Sequence, residues 1–351
     1  MPARELNPNE NGRRASREDP ARDRGRSAEV PSEIPAPGWR DILLRVVHRI
    51  SEDNLTLVAA GIAFNAMFAV FPALIVLVSI YGLFASPADV GAQFKPFFSM
   101  LPADAATLIQ TSLTNLAGRS NSTLGIGAAI SMAVTIYSSA QGMSALTTAT
   151  NIAYHEPERR SFIKLLGIAI LFTFGGLLGF LLLLGLGIAV PYVLGVLPLG
   201  PLTKQIALAV RWVLLWGFAV FALTVVYRYA PCRENARWRW LTWGSAIAAT
   251  LWLGGSVLFS LYVQNFGSYG KTYGALGGVM ILLMWFYLGG FAVLLGAEIN
   301  AEMEHQTAVD TTTGPPQPLG ERGAFVADTI GPTPGKSQNE NPRSANPSSG
   351  R

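Results

Sequence analysis

Polar side chains inside long apolar stretches are the residues of this chain that could do chemistry. Asn65 lies in one uncharged apolar stretch, and a second stretch carries a group of polar residues with an amide two turns beyond it: Ser138, Ser139, Gln141, Ser144 and Asn151. Such groups are costly in apolar surroundings unless they are hydrogen-bonded or contact water. They predict the lining of a hydrated path or headgroup pocket. The alternative is a set of interhelical hydrogen bonds, worth about 0.6–2 kcal/mol each.

A second candidate is a glycine-punctuated loop between two later apolar stretches. It is rich in hydrogen-bond donors and aromatic rings and has one cation; its candidate residues are Gln264, Asn265, Ser268, Tyr269, Lys271 and Tyr273. Tyrosine is typical of membrane–water interfaces, and a lysine among donors could hold a phosphate or sugar headgroup. The alternative is a hairpin whose polar groups bond to one another.

A third candidate is an acidic residue one turn beyond the last apolar stretch. Glu298 follows that stretch, and Arg237, Arg239 or Arg159 could pair with it. We predict an ion pair at the inner interface. A carboxylate that couples to protons is the alternative, since ionisable groups at membrane depth are often functional.

No pattern of an enzyme active site accompanies these groups. Metal-assisted hydrolysis of RNA needs clustered carboxylates and histidines, whereas the three histidines lie more than a hundred residues apart. The single cysteine, Cys232, excludes an internal disulfide and a Cys-rich metal site. We therefore expect a protein that is not an enzyme, with no cofactor or metal and no nucleic-acid partner.

The composition indicates the elements that must position these residues. Half of the 351 residues are hydrophobic and only 14% are charged, whereas soluble domains average about 25%. One membrane span takes about 20 apolar residues. The sequence therefore predicts an all-α, polytopic membrane bundle of six transmembrane helices, at about 55–84, 124–152, 165–190, 208–228, 241–263 and 273–296.

The distribution of basic residues sets the predicted orientation. Six spans place seven Lys and Arg residues in the short loops near 155–164 and 228–239 on one side, against five on the other. Basic loops stay in the cytoplasm, so both termini are expected there. A seventh span cut from 165–200 would spoil this pattern. We therefore predict a helix ending near Val190, followed by a hydrophobic surface segment that begins at Pro191 and continues to Leu202.

The remaining segments are polar or amphipathic. Residues 1–38 and 306–351 predict disordered cytoplasmic tails flanking a membrane domain at 39–305, because few of their residues could form a core. Residues 39–50 have the spacing of an interfacial helix, lying either on anionic lipid or on the protein's own cytoplasmic face. A short external helix is expected from Pro102 onward.

Three blocks of the sequence carry a family resemblance. They are LVAAGIAFNAMFAVFPALIVLVSIYGLFA (Leu57–Ala85), ALTTATNIAYHEPERRSFIKLLGIAI (Ala145–Ile170) and the segment Arg237–Glu304, with its NFGSYGKTYGALG loop and LLGAEINAE ending. The chain resembles the YihY/BrkB family of bacterial inner-membrane proteins over roughly 40–305. Lys271 departs from the small or polar residues common in that loop. The resemblance implies six helices, an inner-membrane location, and a link to serum resistance and to lipid or lipopolysaccharide movement. The family's older ribonuclease label is not supported by any active-site pattern in this sequence.

The sequence therefore leaves two alternative functions, one in transport and one in structural assembly. The first is a transporter or facilitator of lipid or envelope-component movement in the bacterial inner membrane, with membrane lipids as partners. The alternative is a non-catalytic membrane scaffold for envelope assembly, with envelope proteins or further copies of the chain as partners. A hydrated path lined by Asn65 and the 138–144 group favours the first, and a dry interior with all polar groups paired favours the second.

Overall fold

Long helices dominate the computed structural model, which describes residues 24–81, 107, 126–196, 200–266 and 275–332. Helix α1 (Ala36–Glu52) is followed by six helices of 27 to 35 residues: α2 (Leu55–Tyr81), α3 (Ile126–Ala153), α4 (Phe162–Val196), α5 (Pro201–Tyr229), α6 (Trp238–Phe266) and α7 (Ala275–Glu304). A short helix α8 (Phe325–Asp328) comes last. Apart from these, the regular structure in the described ranges is a 3-10 turn at Pro31–Glu33 and an isolated β-bridge between Ala236 and Thr312.

The outward faces of these helices are apolar. Large side chains such as Leu171, Val213 and Leu258 are 65–71% exposed, as expected for surfaces that lipid covers. Among the described residues, four segments are long and apolar enough to cross a membrane: Phe162–Gly179, Gln205–Tyr229, Trp238–Gln264 and Leu276–Glu304. A bent pair formed by α1 and the first part of α2 makes a fifth candidate. The predicted all-α, multi-pass membrane fold is confirmed, and the count of six spans stays a prediction.

Helix α4 differs from its predicted course. It continues through Pro191 to Val196, and α5 begins at Pro201, so the described part of the predicted surface segment, residues 191–196 and 201–202, is helical. Proline removes one backbone donor, which is tolerated in membrane helices where neighbouring groups compensate. At 35 residues α4 is about 52 Å long, more than the apolar thickness of a bilayer.

Helix α7 is central to the bundle and packs against α1, α2, α3 and α6. Its crossing with α6 is close because both helices have a glycine there. A Cβ on Gly244 would lie 2.2 Å from the carbonyl oxygen of Gly296, and a Cβ on Gly296 would lie 2.6 Å from the Cβ of Ala248. Only glycine permits this backbone approach.

Helix α1 turns sharply into α2 at one end of the bundle. The two axes are bent by 64°, and Asn54 has φ = 50°, a left-handed conformation that asparagine tolerates. α1 buries Ile42 and Val46 against the protein and packs on α7. Of the two settings expected for this helix, the structure shows packing on the protein, while Leu43 and Val47 remain exposed.

Two segments predicted as disordered tails are packed together over the same end of the bundle. We call residues 24–34 and 305–332 the polar cap. Gln306 donates to the carbonyl of Arg24 at 2.7 Å, and Thr307 donates to the carbonyl of Ala28 at 2.7 Å. Val326 and Ile34 are buried. The described parts of both segments are therefore folded and not disordered as predicted, because each segment supplies the other with the partners that it lacks alone.

Candidate functional site

The structure brings Asn65 and the 138–144 group together where α2 and α3 cross. A Cβ on Gly142 would lie 3.0 Å from the Cβ of Ala69 and 3.9 Å from the carbonyl oxygen of Asn65. Asn65 is half-buried, and its side-chain amide donates to the carbonyl of Gly61 in its own helix at 2.8 Å. Its amide nitrogen thus has a partner within α2, and its side-chain oxygen accepts no hydrogen bond from the residues that the structure describes.

The polar side chains of α3 fall into two kinds. Thr147 and Thr148 donate to carbonyls of their own helix at 2.9 and 3.1 Å, and Ser139 is buried. Ser138, Gln141 and Ser144 are half-buried, and within the described part of the chain their side chains make no hydrogen bond. These three neighbouring polar side chains therefore have no protein partner among the residues that the structure describes.

Asn151 lies apart from that group, at the end of α3. Its amide donates to Glu158 at 2.8 Å, and its oxygen accepts the backbone N–H of Cys232 at 2.7 Å. Glu158 also accepts from the Arg160 side chain, and this hydrogen bond lowers the pKa of Glu158 to about 2. Asn151 thus joins two loops and fits the alternative of structural hydrogen bonding.

Most of the predicted headgroup loop lies outside the described residues. This applies to Ser268, Tyr269, Lys271 and Tyr273, and to the external helix expected at Pro102. Asn265 falls in the last turn of α6. Gln264 is exposed and donates to the hydroxyl of Ser260 one turn earlier, at 3.1 Å.

The predicted ion pair of Glu298 is not formed. Glu298 is completely buried, and neither of its carboxylate oxygens has a hydrogen-bond partner. Arg237 instead donates to the carbonyl of Thr312 at 2.9 Å, while Arg239 and Arg159 are exposed. Arg237 thus binds the polar cap and not α7. The sequence did not predict this contact, because residues 306–332 were expected to be disordered.

Two other carboxylates of α7 form the ion pairs of this region. Arg45 of α1 donates to Glu302 at 2.5 Å, with side chains 8% and 3% exposed. Arg233 binds Glu304 at 2.7 Å and lies 5.0 Å from the ring centre of Tyr154. These pairs were missed in the sequence. The available signal was three glutamates within seven residues after an apolar helix, each of which needs a partner when buried.

A polar network surrounds these pairs. The Asn300 side chain accepts the backbone N–H of Gly244 at 2.9 Å and donates to the carbonyl of Leu241 at 3.1 Å. Tyr227 donates to the carbonyl of Val293 at 2.7 Å. We call the polar end the part of the bundle made of the last two turns of α7, the α1–α2 junction and the loops 154–161 and 230–237. Among the described residues, no group of three His, Cys, Asp or Glu side chains could hold a metal ion.

Comparison with known proteins gives relatives along most of the chain. A Bacillus subtilis protein named "Putative ribonuclease-like protein YfkH" is 31% identical over 69% of this chain and 88% of its own length. A "UPF0761 membrane protein" of Alteromonas mediterranea is 27% identical over 76% of this chain and 89% of its own. A protein of the same name from Haemophilus influenzae is 23% identical over 73% and 92%. No solved structure matches the chain.

The family assignment rests on a family model as well as on these pairwise sequence similarities. The model of the family described as "Virulence factor BrkB" matches residues 46–320, which include α2 to α7 and part of the polar cap. The resemblance seen in the sequence is thereby confirmed. This multi-pass membrane protein belongs to the virulence factor BrkB family.

Proposed function

We propose that this protein is an inner-membrane facilitator of the movement of lipids or other envelope components that carry a polar headgroup. The observation that carries the proposal is a set of polar side chains on α3 that lack hydrogen-bond partners among the described residues. Ser138, Gln141 and Ser144 have no hydrogen-bond partner among the described residues, and they lie where α2 and α3 cross. Polar groups at membrane depth that no protein group satisfies are suited to water or a headgroup.

The orientation belongs to the same proposal. The polar end and the polar cap hold the arginines of the 154–161 and 230–237 loops, and we infer that this side faces the cytoplasm. Excess Lys and Arg in short loops supports that orientation. Helix α3 reaches the polar end at Ala153, so the 138–144 group lies farther along the helix, away from the side that we infer to be cytoplasmic. A headgroup would then meet this group within the membrane.

The alternative is a non-catalytic membrane scaffold, and the polar cap favours it. Residues 24–34 and 305–332 form an ordered surface that buried polar groups such as Thr311 and Asp310 hold together, and this surface could bind an envelope protein. We also propose that the chain is not a nuclease. The "ribonuclease-like" name belongs to the Bacillus subtilis relative, and the described residues present no metal-binding group that would support it here.

Lipid movement in vesicles tests the proposal. Purified full-length protein is reconstituted with a fluorescent phospholipid, and a membrane-impermeant quencher reports how fast the inner-leaflet probe reaches the outer leaflet. We expect faster exchange than in protein-free vesicles, and a several-fold loss with Gln141→Leu. Thr148→Val is the matched control, since that hydroxyl already bonds within α3. Exchange no faster than in protein-free vesicles would contradict the proposal, as would equal losses in both variants.

A further inference from the structure

The enclosed carboxyl group of Glu298 is the least satisfied polar group in α7. Its side chain is completely buried, and both oxygens lack a hydrogen-bond donor. Glu302 and Glu304, one and two turns later, are each paired with an arginine. Glu298 is therefore the exception among the carboxylates of this segment and is not a member of the ion-paired network.

The charged groups around Glu298 do not supply a counter-ion. Asp53, at the α1–α2 junction, and Glu302, on α7, are both acidic, and Arg49 of α1 is the one cation of the described residues that acts on it. Arg49 is already engaged, at 3.0 Å from Glu52 and 3.4 Å from Glu302. Further titratable groups of the region are His155, which follows α3 and interacts electrostatically with Asp53, and His305, whose Nδ1 lies 3.5 Å from Glu302.

These surroundings favour a neutral carboxyl group at position 298. A buried carboxylate without donors costs several kcal/mol, and two nearby acidic groups add repulsion. A proton bound to one oxygen removes both costs. The neutral group still lacks a hydrogen-bond acceptor, but that costs much less than an unpaired charge.

Asp53 and His155 form a pair whose side chains are partly exposed, although the two atoms that face each other are buried. Asp53 Oδ2 and His155 Nε2 are 3.8 Å apart, and neither atom has a hydrogen-bond partner. Their side chains are 14% and 20% exposed. Burial raises the pKa of Asp53 and lowers the pKa of His155, so the proton affinities of the two groups approach each other. Two such groups can pass a proton in either direction.

We propose that Glu298 is a proton-binding site, and that its proton exchanges with the solvent of the polar end through Asp53 and His155. The site is a property of the described residues and holds whether or not the protein moves lipids. Its use as the site of the coupling ion rests on the proposed function, since a proton bound with different affinity in two conformations of a transport protein shifts the equilibrium between them.

Infrared spectroscopy of the purified full-length protein tests the site. A protonated carboxyl group has a carbonyl stretch distinct from that of a carboxylate. We expect this band at neutral pH in the wild type, its loss in Glu298→Gln, and its retention in Glu302→Gln, because Glu302 is ionised and bound to Arg45. Absence of the band in the wild type, or its persistence in Glu298→Gln, would overturn the proposal.

The exchange route has its own readout. On transfer into D₂O the Glu298 band shifts as the proton is replaced. We expect Asp53→Asn and His155→Gln to keep the band but slow its shift about tenfold or more, which corresponds to about 1.4 kcal/mol in the barrier. A shift at the wild-type rate in both variants would remove Asp53 and His155 from the proposal.

A measurement on the wild type covers the case in which Glu298→Gln does not fold. Dicyclohexylcarbodiimide partitions into membranes and adds to protonated carboxyl groups, and peptide mass spectrometry locates the adduct. Modification at Glu298 supports the site, and modification restricted to other carboxyl groups contradicts it. None of these measurements uses a transported lipid, so their failure would leave the vesicle assay of the proposed function unaffected, and the reverse also holds.

Discussion

Arg233 and Glu304 form an ion pair that is closed off from solvent, with a shortest N–O distance of 2.7 Å and side chains only 2% and 0% exposed. Arg233 comes from the loop between α5 and α6, and Glu304 ends α7. Thr311 of the polar cap donates to the same carboxylate at 2.7 Å. The pair thus joins a loop, the central helix and the cap at one point.

We predict that Glu304→Gln strongly destabilises the protein. The change leaves the Arg233 guanidinium buried without a counter-ion, and breaking a buried pair costs about 3–5 kcal/mol. The measurement is thermal unfolding of the purified protein in one detergent. Glu52→Gln is the control, because Glu52 pairs with Arg49 at the surface, where such pairs contribute about 0–1 kcal/mol. Equal effects of the two changes would contradict the burial argument.

A second prediction uses two glycines of α6. Gly244→Ala would place a methyl group 2.2 Å from the carbonyl oxygen of Gly296, so α6 and α7 must separate, at a cost of about 1–3 kcal/mol or more. Gly254→Ala, where a Cβ meets nothing within 4 Å, should raise stability by up to about 1 kcal/mol through helix propensity. Unfolding temperatures of both variants check the opposite signs.

A third prediction concerns acid stability. The hydrogen bond from Arg160 lowers the pKa of Glu158 to about 2, below the roughly 4.3 of an unfolded chain. The bound carboxylate therefore stabilises the fold fully above about pH 5, and this contribution disappears as the pH falls towards 2. The unfolding temperature of the wild type should exceed that of Glu158→Gln near neutrality and converge with it in acid. Arg160→Gln should remove the same pH-dependent part; a constant difference at all pH values would be inconsistent with it.

A fourth prediction tests the orientation. Cys232 is partly exposed in the loop between α5 and α6, which we infer to be cytoplasmic. In intact cells a permeant maleimide should label it, and an impermeant maleimide should not. Ser86→Cys in a Cys232→Ser background is the control, since residue 86 begins the segment expected outside. Efficient labelling of Cys232 by the impermeant reagent would reverse the proposed topology.

The sequence predicted the membrane helices well because a long apolar run has few alternatives to a helix in lipid. It predicted their ends less well. Helix α7 was expected to end near residue 296 but reaches Glu304, since the polar cap shelters its last turns from water. The interruption expected at Pro191 is also absent, because a proline's effect depends on the packing around it.

The candidate site shows a similar division. The sequence singled out Asn65 and the 138–144 group as polar residues of two consecutive helices, and the structure places them near the crossing of α2 and α3. The partners of Glu298, Glu302 and Glu304 did not follow, because Arg45 lies 257 residues before Glu302 and nothing local relates the two. Pairing rules based on nearby basic residues favoured Arg237, which the polar cap binds instead.

The polar cap has a consequence for how this protein is made. Gln306 bonds to Arg24 across 282 positions, so the ribosome must synthesise nearly the whole chain before the cap can close. At about 5–20 residues per second that delay is about 15–55 s. During this time the early helices are already in the membrane, while Glu302, the partner of Arg45, has not yet been synthesised. A chain released before Glu302 and Glu304 are made would therefore carry Arg45 and Arg233 without these partners.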